Sequence, residues 1–160
     1  MASLGLSFSK MEIDGKPQTV TSERYVTVLK KFRTELKRRR RINFNDQWFM
    51  QDGATAHTAR DSRQWLEDTF EKRVISLKTD FPWAPHSPDL NPLDFFLWGY
   101  LKDCVYRENH GTVRELKTAI VHHVERLKLD NALCARVIRE FERRVGACLN
   151  RQGRHMEHLL

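Results

Sequence analysis

Two aspartates stand where a metal-dependent phosphoryl-transfer site would need them. Asp52 ends an apolar, strand-like run that starts at Gln47, and Asp94 lies near the start of a helical pattern further along the chain. Magnesium ions prefer oxygen ligands, and a pair of such ions can hold the attacking and leaving oxygens of a phosphoryl group. Gly53 would allow the backbone to turn sharply directly after Asp52. The two carboxylates are therefore candidates for metal-dependent phosphoryl transfer.

Each carboxylate also has an ordinary structural explanation. Asp52 and Gly53 form a common turn pair. Asp94 follows Asn91 and Pro92 as in a capped helix start, where an acidic residue also favours the helix dipole. Taken singly, each acid fits the structural explanation better, so the functional hypothesis depends on the two acids together with their long flanking segments.

The elements that would position these acids alternate between strands and helices early in the chain and are all helical later. An Asp14-Gly15 turn predicts a hairpin, and apolar spacing predicts a helix capped by Ser22. Further strands are expected at 47–52 and 73–77, and further helices at 58–70, 91–106, 112–128 and 130–150. The core is expected to include Trp48, Trp65, Trp83 and Trp98. This order predicts an α/β domain with a helical C-terminal tail.

The composition favours a globular protein with a phosphate-rich partner. A chain of 160 residues with 40% hydrophobic content can form one packed domain. The net charge of +7 suits a partner made of phosphates, although a basic domain without a nucleic-acid role stays open. Three widely spaced cysteines fit core packing in a reducing compartment better than a disulfide framework or a zinc site. With no run of about 18 apolar residues, no membrane partner is expected.

A run of cations ends the first predicted helix. Its members are Lys37, Arg38, Arg39, Arg40 and Arg41. They could follow a DNA backbone or act as a nuclear localisation signal, which would place the protein in the nucleus. A solvated helix end, stabilised by the helix dipole, explains the same run equally well.

Two segments resemble the mariner-like transposases of the DDE/D class. WFMQDGATAHTAR is similar to the block around the second acid of that family's catalytic triad, and SPDLNPLDFFLWGYLK to the block around the third. The resemblance implies a ribonuclease H-like fold, a Mg2+ or Mn2+ cofactor and DNA as a partner. It also implies that Asp52 and Asp94 are catalytic residues and metal ligands. His57 would support them by orienting Asp52 or contacting a phosphate, although a lone histidine is more often structural.

The first acid of the family's triad has no evident counterpart. Glu12 and Asp14 lie in or beside the predicted hairpin, and Asp46 directly precedes the strand of Asp52. We therefore expect a catalytic-domain fragment that lacks the first acid, the N-terminal strands of the sheet and the family's DNA-binding modules. Residues 1–128 would form the partial catalytic domain, and 129–160 its helical extension.

Three functions follow from this resemblance. The first is a nucleic-acid-binding protein derived from a transposase, with impaired catalysis. The second is an active metal-dependent DNA nuclease or transposase, completed by missing sequence, a homo-oligomer or a partner transposase chain. The third is a protein-interaction remnant without DNA binding.

Overall fold

The computed structural model divides the chain into two compact units. The first unit is Ala2–Pro85 and the second is His86–Leu160. The structure describes residues 12–13, 16–17, 19–40 and 42–154. Asp14 and Arg41, named above as a possible first acid and a possible DNA contact, lie outside the described residues. The domain boundary expected at residue 128 stays a prediction.

The elements follow the predicted order. The first unit contains β1 (Glu12–Ile13), β2 (Lys16–Pro17), α1 (Ser22–Arg38), a 3₁₀ turn (Phe44–Asp46), β3 (Phe49–Met50), α2 (Thr55–Thr58), α3 (Arg60–Phe70) and β4 (Val74–Ile75). The second contains a 3₁₀ turn (Pro88–Leu90), a π-helical turn (Leu93–Leu97), α4 (Trp98–Tyr106), α5 (Val113–Leu129) and α6 (Asn131–Asn150). The strands are shorter than expected, because only two residues of each form regular pairs.

Helix α1 forms where its apolar residues repeat at helical spacing. Tyr25, Leu29 and Leu36 are all buried on one stripe of the helix. The cap is Thr21, whose side chain accepts a hydrogen bond from the Arg24 amide at 3.4 Å. The predicted cap, Ser22, is wrong by one residue, since Ser22 is already the first helical residue.

Strands β3 and β4 pair in parallel, as the intervening helix α3 requires. The Phe49 amide donates to the Arg73 carbonyl at 2.9 Å, and the Gln51 amide to the Ile75 carbonyl at 3.0 Å. Asp52 follows this paired segment at the carboxyl end of β3. The pairing therefore fixes the backbone from which this candidate ligand extends.

The core of the first unit is centred on Phe70. This ring is fully buried, with the Phe44 ring centroid at 5.1 Å and that of Phe49 at 5.3 Å. Trp48 was expected in the core but is 52% exposed. Because successive strand residues point to opposite faces, burying Phe49 turns Trp48 outward, where its ring meets Phe81 edge-on at 4.9 Å.

In the second unit, helices α5 and α6 both begin at capped residues. Thr112 caps α5 by accepting from the Glu115 amide at 3.2 Å, and Glu115 in return accepts from the Gly111 amide at 2.9 Å. Asp130 caps α6 by accepting from the Leu133 amide at 2.8 Å. The buried apolar residues of this unit are Leu101, Val105, Ala119, Val124 and Val137. Trp98, also expected in the core, is 38% exposed.

The helices in the described part of the chain are too short or too polar to cross a membrane.

Candidate metal and nucleic-acid site

Asp52 is held by its own neighbours directly after β3. Its Oδ1 accepts from the Ala54 amide at 3.0 Å and lies 2.6 Å from Nδ1 of His57. An ionised carboxylate only accepts hydrogen bonds, so the Nδ1 proton is assigned to His57. The Asp52 side chain is 45% exposed, and its Oδ2 accepts no hydrogen bond from the described residues. That oxygen is available to a ligand.

The buried side-chain amide of Gln51 connects the segment from Asp52 to His57 to the core of the first unit. The Gln51 side chain accepts from the Tyr25 hydroxyl at 2.7 Å and donates to the His57 carbonyl and to Ser76 Oγ, both at 2.9 Å. Gln51 is only 6% exposed. Its hydrogen bonds hold α2, and with it the histidine that orients Asp52. Sequence reasoning missed this role, although a glutamine at the end of an apolar run is an available signal.

Tyr25 completes the support of His57. Its ring lies on the His57 ring at a centroid distance of 4.4 Å. Burial raises the pKa of the Tyr25 hydroxyl, and the negative charge of Asp52 raises it further. The hydroxyl therefore stays protonated and donates to Gln51.

Replacing Tyr25 with phenylalanine is expected to lower the free energy of unfolding by about 1–2 kcal/mol at neutral pH, because Gln51 Oε1 loses its buried donor. Since the pKa of Tyr25 is raised by folding, this contribution is present below pH of about 10 and is lost as the pH rises further. Urea unfolding of both proteins between neutral and alkaline pH measures the effect. Equal stabilities at neutral pH would contradict it.

Asp94 lies in the π-helical turn and is held by Asn91, two residues before that turn begins. Asn91 Nδ2 donates to Asp94 Oδ2 at 2.7 Å, and Asn91 Oδ1 accepts from the Leu93 amide at 3.1 Å. Asn91 is buried whereas Asp94 is exposed. The predicted capped start is therefore present. π-helical turns also occur frequently at functional sites, so the geometry suits a positioned ligand.

The donor chemistry of the two acids fits a divalent cation. Like Asp52, Asp94 keeps one carboxylate oxygen that accepts no hydrogen bond from the described residues, and hard cations prefer such oxygens. Asp52 lies in the first unit and Asp94 in the second. Over the described ranges, no cluster of three or more His, Cys, Asp or Glu side chains suits a metal ion.

The remaining candidates for the first acid have other positions or partners. Asp46 lies in the 3₁₀ turn, where its Oδ2 accepts from Asn43 Nδ2 at 2.7 Å. Glu12 lies in β1 of the hairpin. The predicted absence of a first acid among these residues stays a prediction.

The cationic run lies on the surface of the first unit. Lys37, Arg38, Arg39 and Arg40 are all exposed at the end of α1 and directly after it. Arg38 pairs with Glu35 at 3.1 Å, and Lys37 Nζ lies 5.0 Å from the centroid of the Phe44 ring. Exposed cations on a helix end can reach phosphates, and they also suit the helix dipole.

Solved structures of the Mos1 transposase resemble this chain. The Mos1 transposase catalytic domain with raltegravir and Mn shares 27% identity at a TM-score of 0.64, over 89% of this chain and 68% of that chain. The Mos1 mariner paired end complex with Mn shares 27% identity at a TM-score of 0.70, over 89% of this chain and 40% of that chain. Neither a protein-family model nor a curated protein matches the chain.

These structural similarities establish the fold class. The described helices and strands form an α/β, ribonuclease H-like fold resembling the Mos1 catalytic domain, which confirms the predicted fold class. They also support a mariner-like transposase catalytic fragment, as the two sequence motifs predicted. The chain thus resembles a transposase catalytic domain.

Proposed function

We propose that the chain is a transposase-derived nucleic-acid-binding protein whose DNA-cutting core is catalytically impaired. The observation that carries the proposal is a Mos1-like fold in which hydrogen bonds hold the carboxylates of Asp52 and Asp94 within their turns. The described residues add no cluster of three possible metal ligands to this pair. Two carboxylates hold a metal pair poorly, and positional errors near 1 Å can reduce a rate on the order of 10²-fold.

The proposed DNA contact is the exposed cationic run from Lys37 to Arg40. Lysine and arginine bind DNA by displacing the counterions of its phosphates, without reading the sequence. The net charge of +7 adds long-range attraction to any polyanion. The same run is proposed as a nuclear localisation signal, testable by the distribution of a fluorescent fusion with and without it.

Replacing Lys37, Arg38, Arg39 and Arg40 with glutamine is expected to weaken DNA binding and its dependence on salt. Each lost phosphate contact lowers the slope of log affinity against log salt by about 0.9. Fluorescence anisotropy with a labelled duplex at several salt concentrations measures both quantities.

The control removes two exposed cations elsewhere in the chain. Arg136 and Arg139 are exposed on α6, and their replacement with glutamine should leave the slope nearly unchanged. An equal loss of slope in both variants would contradict a local DNA contact at the end of α1.

A second candidate is an active metal-dependent nuclease or transposase, completed by further sequence, another copy or a partner chain. It is favoured by the open carboxylate oxygens of Asp52 and Asp94 and by the Mos1 structures with Mn and Mg. Asp52 in the first unit and Asp94 in the second would each offer a carboxylate oxygen to a cation, and a bound cation would neutralise charge on the phosphoryl oxygens. His57 would keep the Asp52 carboxylate oriented through its Nδ1 proton.

Nicking of supercoiled plasmid with Mg2+ or Mn2+ separates these functions. The proposed function predicts little nicking by the wild-type protein and no further loss in Asp52→Ala or Asp94→Ala. Metal-dependent nicking that either substitution abolishes would establish the second candidate and overturn the proposed impairment.

A further inference from the structure

The C-terminal helix α6 reaches the segment that carries Asp94 through one arginine. Arg144 Nη1 donates to the carbonyl of Asp89 at 3.1 Å. Its guanidinium carbon lies 4.4 Å from the centroid of the Phe95 ring. The Arg144 side chain is only 15% exposed. Its contacts therefore lie on both sides, in sequence, of Asn91 and Asp94.

Another residue of α6 fixes the orientation of the Arg144 guanidinium. Arg144 Nε donates to Glu140 Oε1 at 3.1 Å, one helical turn earlier. Glu140 also accepts two hydrogen bonds from Arg143, each at 2.9 Å. The Arg143 hydrogen bond, helped by the charges of Arg143 and Arg144, lowers the pKa of Glu140, so its carboxylate stays ionised near neutral pH.

We propose that Arg144 is a positioning residue for Asp94. Its hydrogen bond fixes the 3₁₀ turn that precedes Asn91, and its contact with Phe95 fixes the π-helical turn that contains Asp94. Asn91 is thereby held where its amide donates to Asp94 Oδ2. This inference rests on the proposed role of Asp94 as a metal ligand, and it assigns α6 a task beyond that of a solvated tail.

The chemistry of the contact selects arginine over lysine. One planar group must donate in two directions, to Glu140 and to Asp89, while its face lies on the Phe95 ring. A guanidinium has separate donors in a fixed plane and stacks on aromatic rings, whereas a lysine ammonium is a compact point charge. Arg144→Lys therefore keeps the charge but loses the geometry.

Amide hydrogen exchange tests the positioning directly. The amides of Asp94 and Phe95 both donate to the Asn91 carbonyl, at 2.9 and 3.0 Å. In Arg144→Lys and Arg144→Met we expect both amides to exchange on the order of 10-fold faster than in the wild type. Arg139→Met, at an exposed site on the same helix, should leave them unchanged.

The pattern of exchange distinguishes positioning from general destabilisation. The amides around Val105 and Val124, in the buried parts of α4 and α5, should keep their wild-type rates. Unchanged exchange at Asp94 and Phe95 in both variants would overturn the proposal. Uniform acceleration throughout α4 and α5 would also overturn it, because Arg144 would then stabilise the unit as a whole.

Titration with Mn2+ alone connects the inference to the proposed metal role. Broadening of the Asp94 resonances by Mn2+ in the wild type should decrease in Arg144→Lys and persist in Arg139→Met. Equal broadening in all three proteins would contradict a positioning role toward the metal. Absence of broadening in the wild type would instead refute the metal role of Asp94, while the exchange rates would still decide whether Arg144 positions that residue.

Discussion

Replacing Gln51 with leucine is expected to lower the free energy of unfolding by about 3–5 kcal/mol. The substitution leaves three buried or half-buried groups without their partner: the Tyr25 hydroxyl, the His57 carbonyl and the Ser76 hydroxyl. Each unsatisfied buried polar group costs about 1–3 kcal/mol. Leucine adds apolar burial, but it cannot replace any of these hydrogen bonds.

Urea unfolding followed by tryptophan fluorescence measures this loss. The matched control is Gln64→Leu, because Gln64 is exposed on α3 and, among the described residues, its side chain donates to the exposed Asp68 alone. That change should stay within about 0.5 kcal/mol of the wild type. A Gln51→Leu protein as stable as the control would show that the buried amide does not support the segment from Asp52 to His57.

Replacing Phe70 with alanine is expected to lower the free energy of unfolding by about 3–5 kcal/mol. The ring is fully buried between Phe44 and Phe49 at the centre of the first unit. Removing it loses the transfer free energy of the ring and leaves a cavity that its neighbours fill only partly. The same unfolding experiment measures the change.

Two further variants show whether burial is the cause. Phe70→Leu keeps part of the volume and should lose clearly less stability than Phe70→Ala. Tyr106→Ala removes an aromatic side chain that is 75% exposed, so it should change stability by about 0.5 kcal/mol or less. A loss for Tyr106→Ala as large as that for Phe70→Ala would contradict the proposed core.

The long helices could be predicted from local patterns because their determinants are local. The apolar residues of α1 repeat at helical spacing, and the caps of α5 and α6 contact residues within the first turn. Strand β3 was also predictable, since an apolar run leads to a turn at Asp52. Its regular pairing is only two residues long, because pairing depends on β4 and not on the propensity of β3 alone.

The candidate site was predictable only where it is local in the chain. The contact between His57 and Asp52 joins residues five positions apart, and that between Asn91 and Asp94 joins residues three apart. Gln51 meets Tyr25 and Ser76 across 26 and 25 positions. No local pattern specifies such contacts, because they form only when α1 and β4 have packed around β3.

The role of Arg144 could not be predicted from the local sequence either. On a helix with mixed charges an arginine is expected to be solvated, and only its contact with Asp89 across 55 positions reveals a buried role. Trp48 was expected in the core for its apolar surroundings, yet the alternation of β3 turns it outward. Residue type alone could not decide either case.

The central claim is tested most directly by the DNA affinity of the wild-type protein and of a double variant, Asp52→Ala with Asp94→Ala. Fluorescence anisotropy with duplexes of unrelated sequence, at physiological salt and at several higher concentrations, is the measurement. The proposed function predicts salt-sensitive binding to every duplex by both proteins, at least as tight in the double variant because it has lost two negative charges. Absence of binding by the wild-type protein at physiological salt would contradict it and favour a protein-interaction remnant.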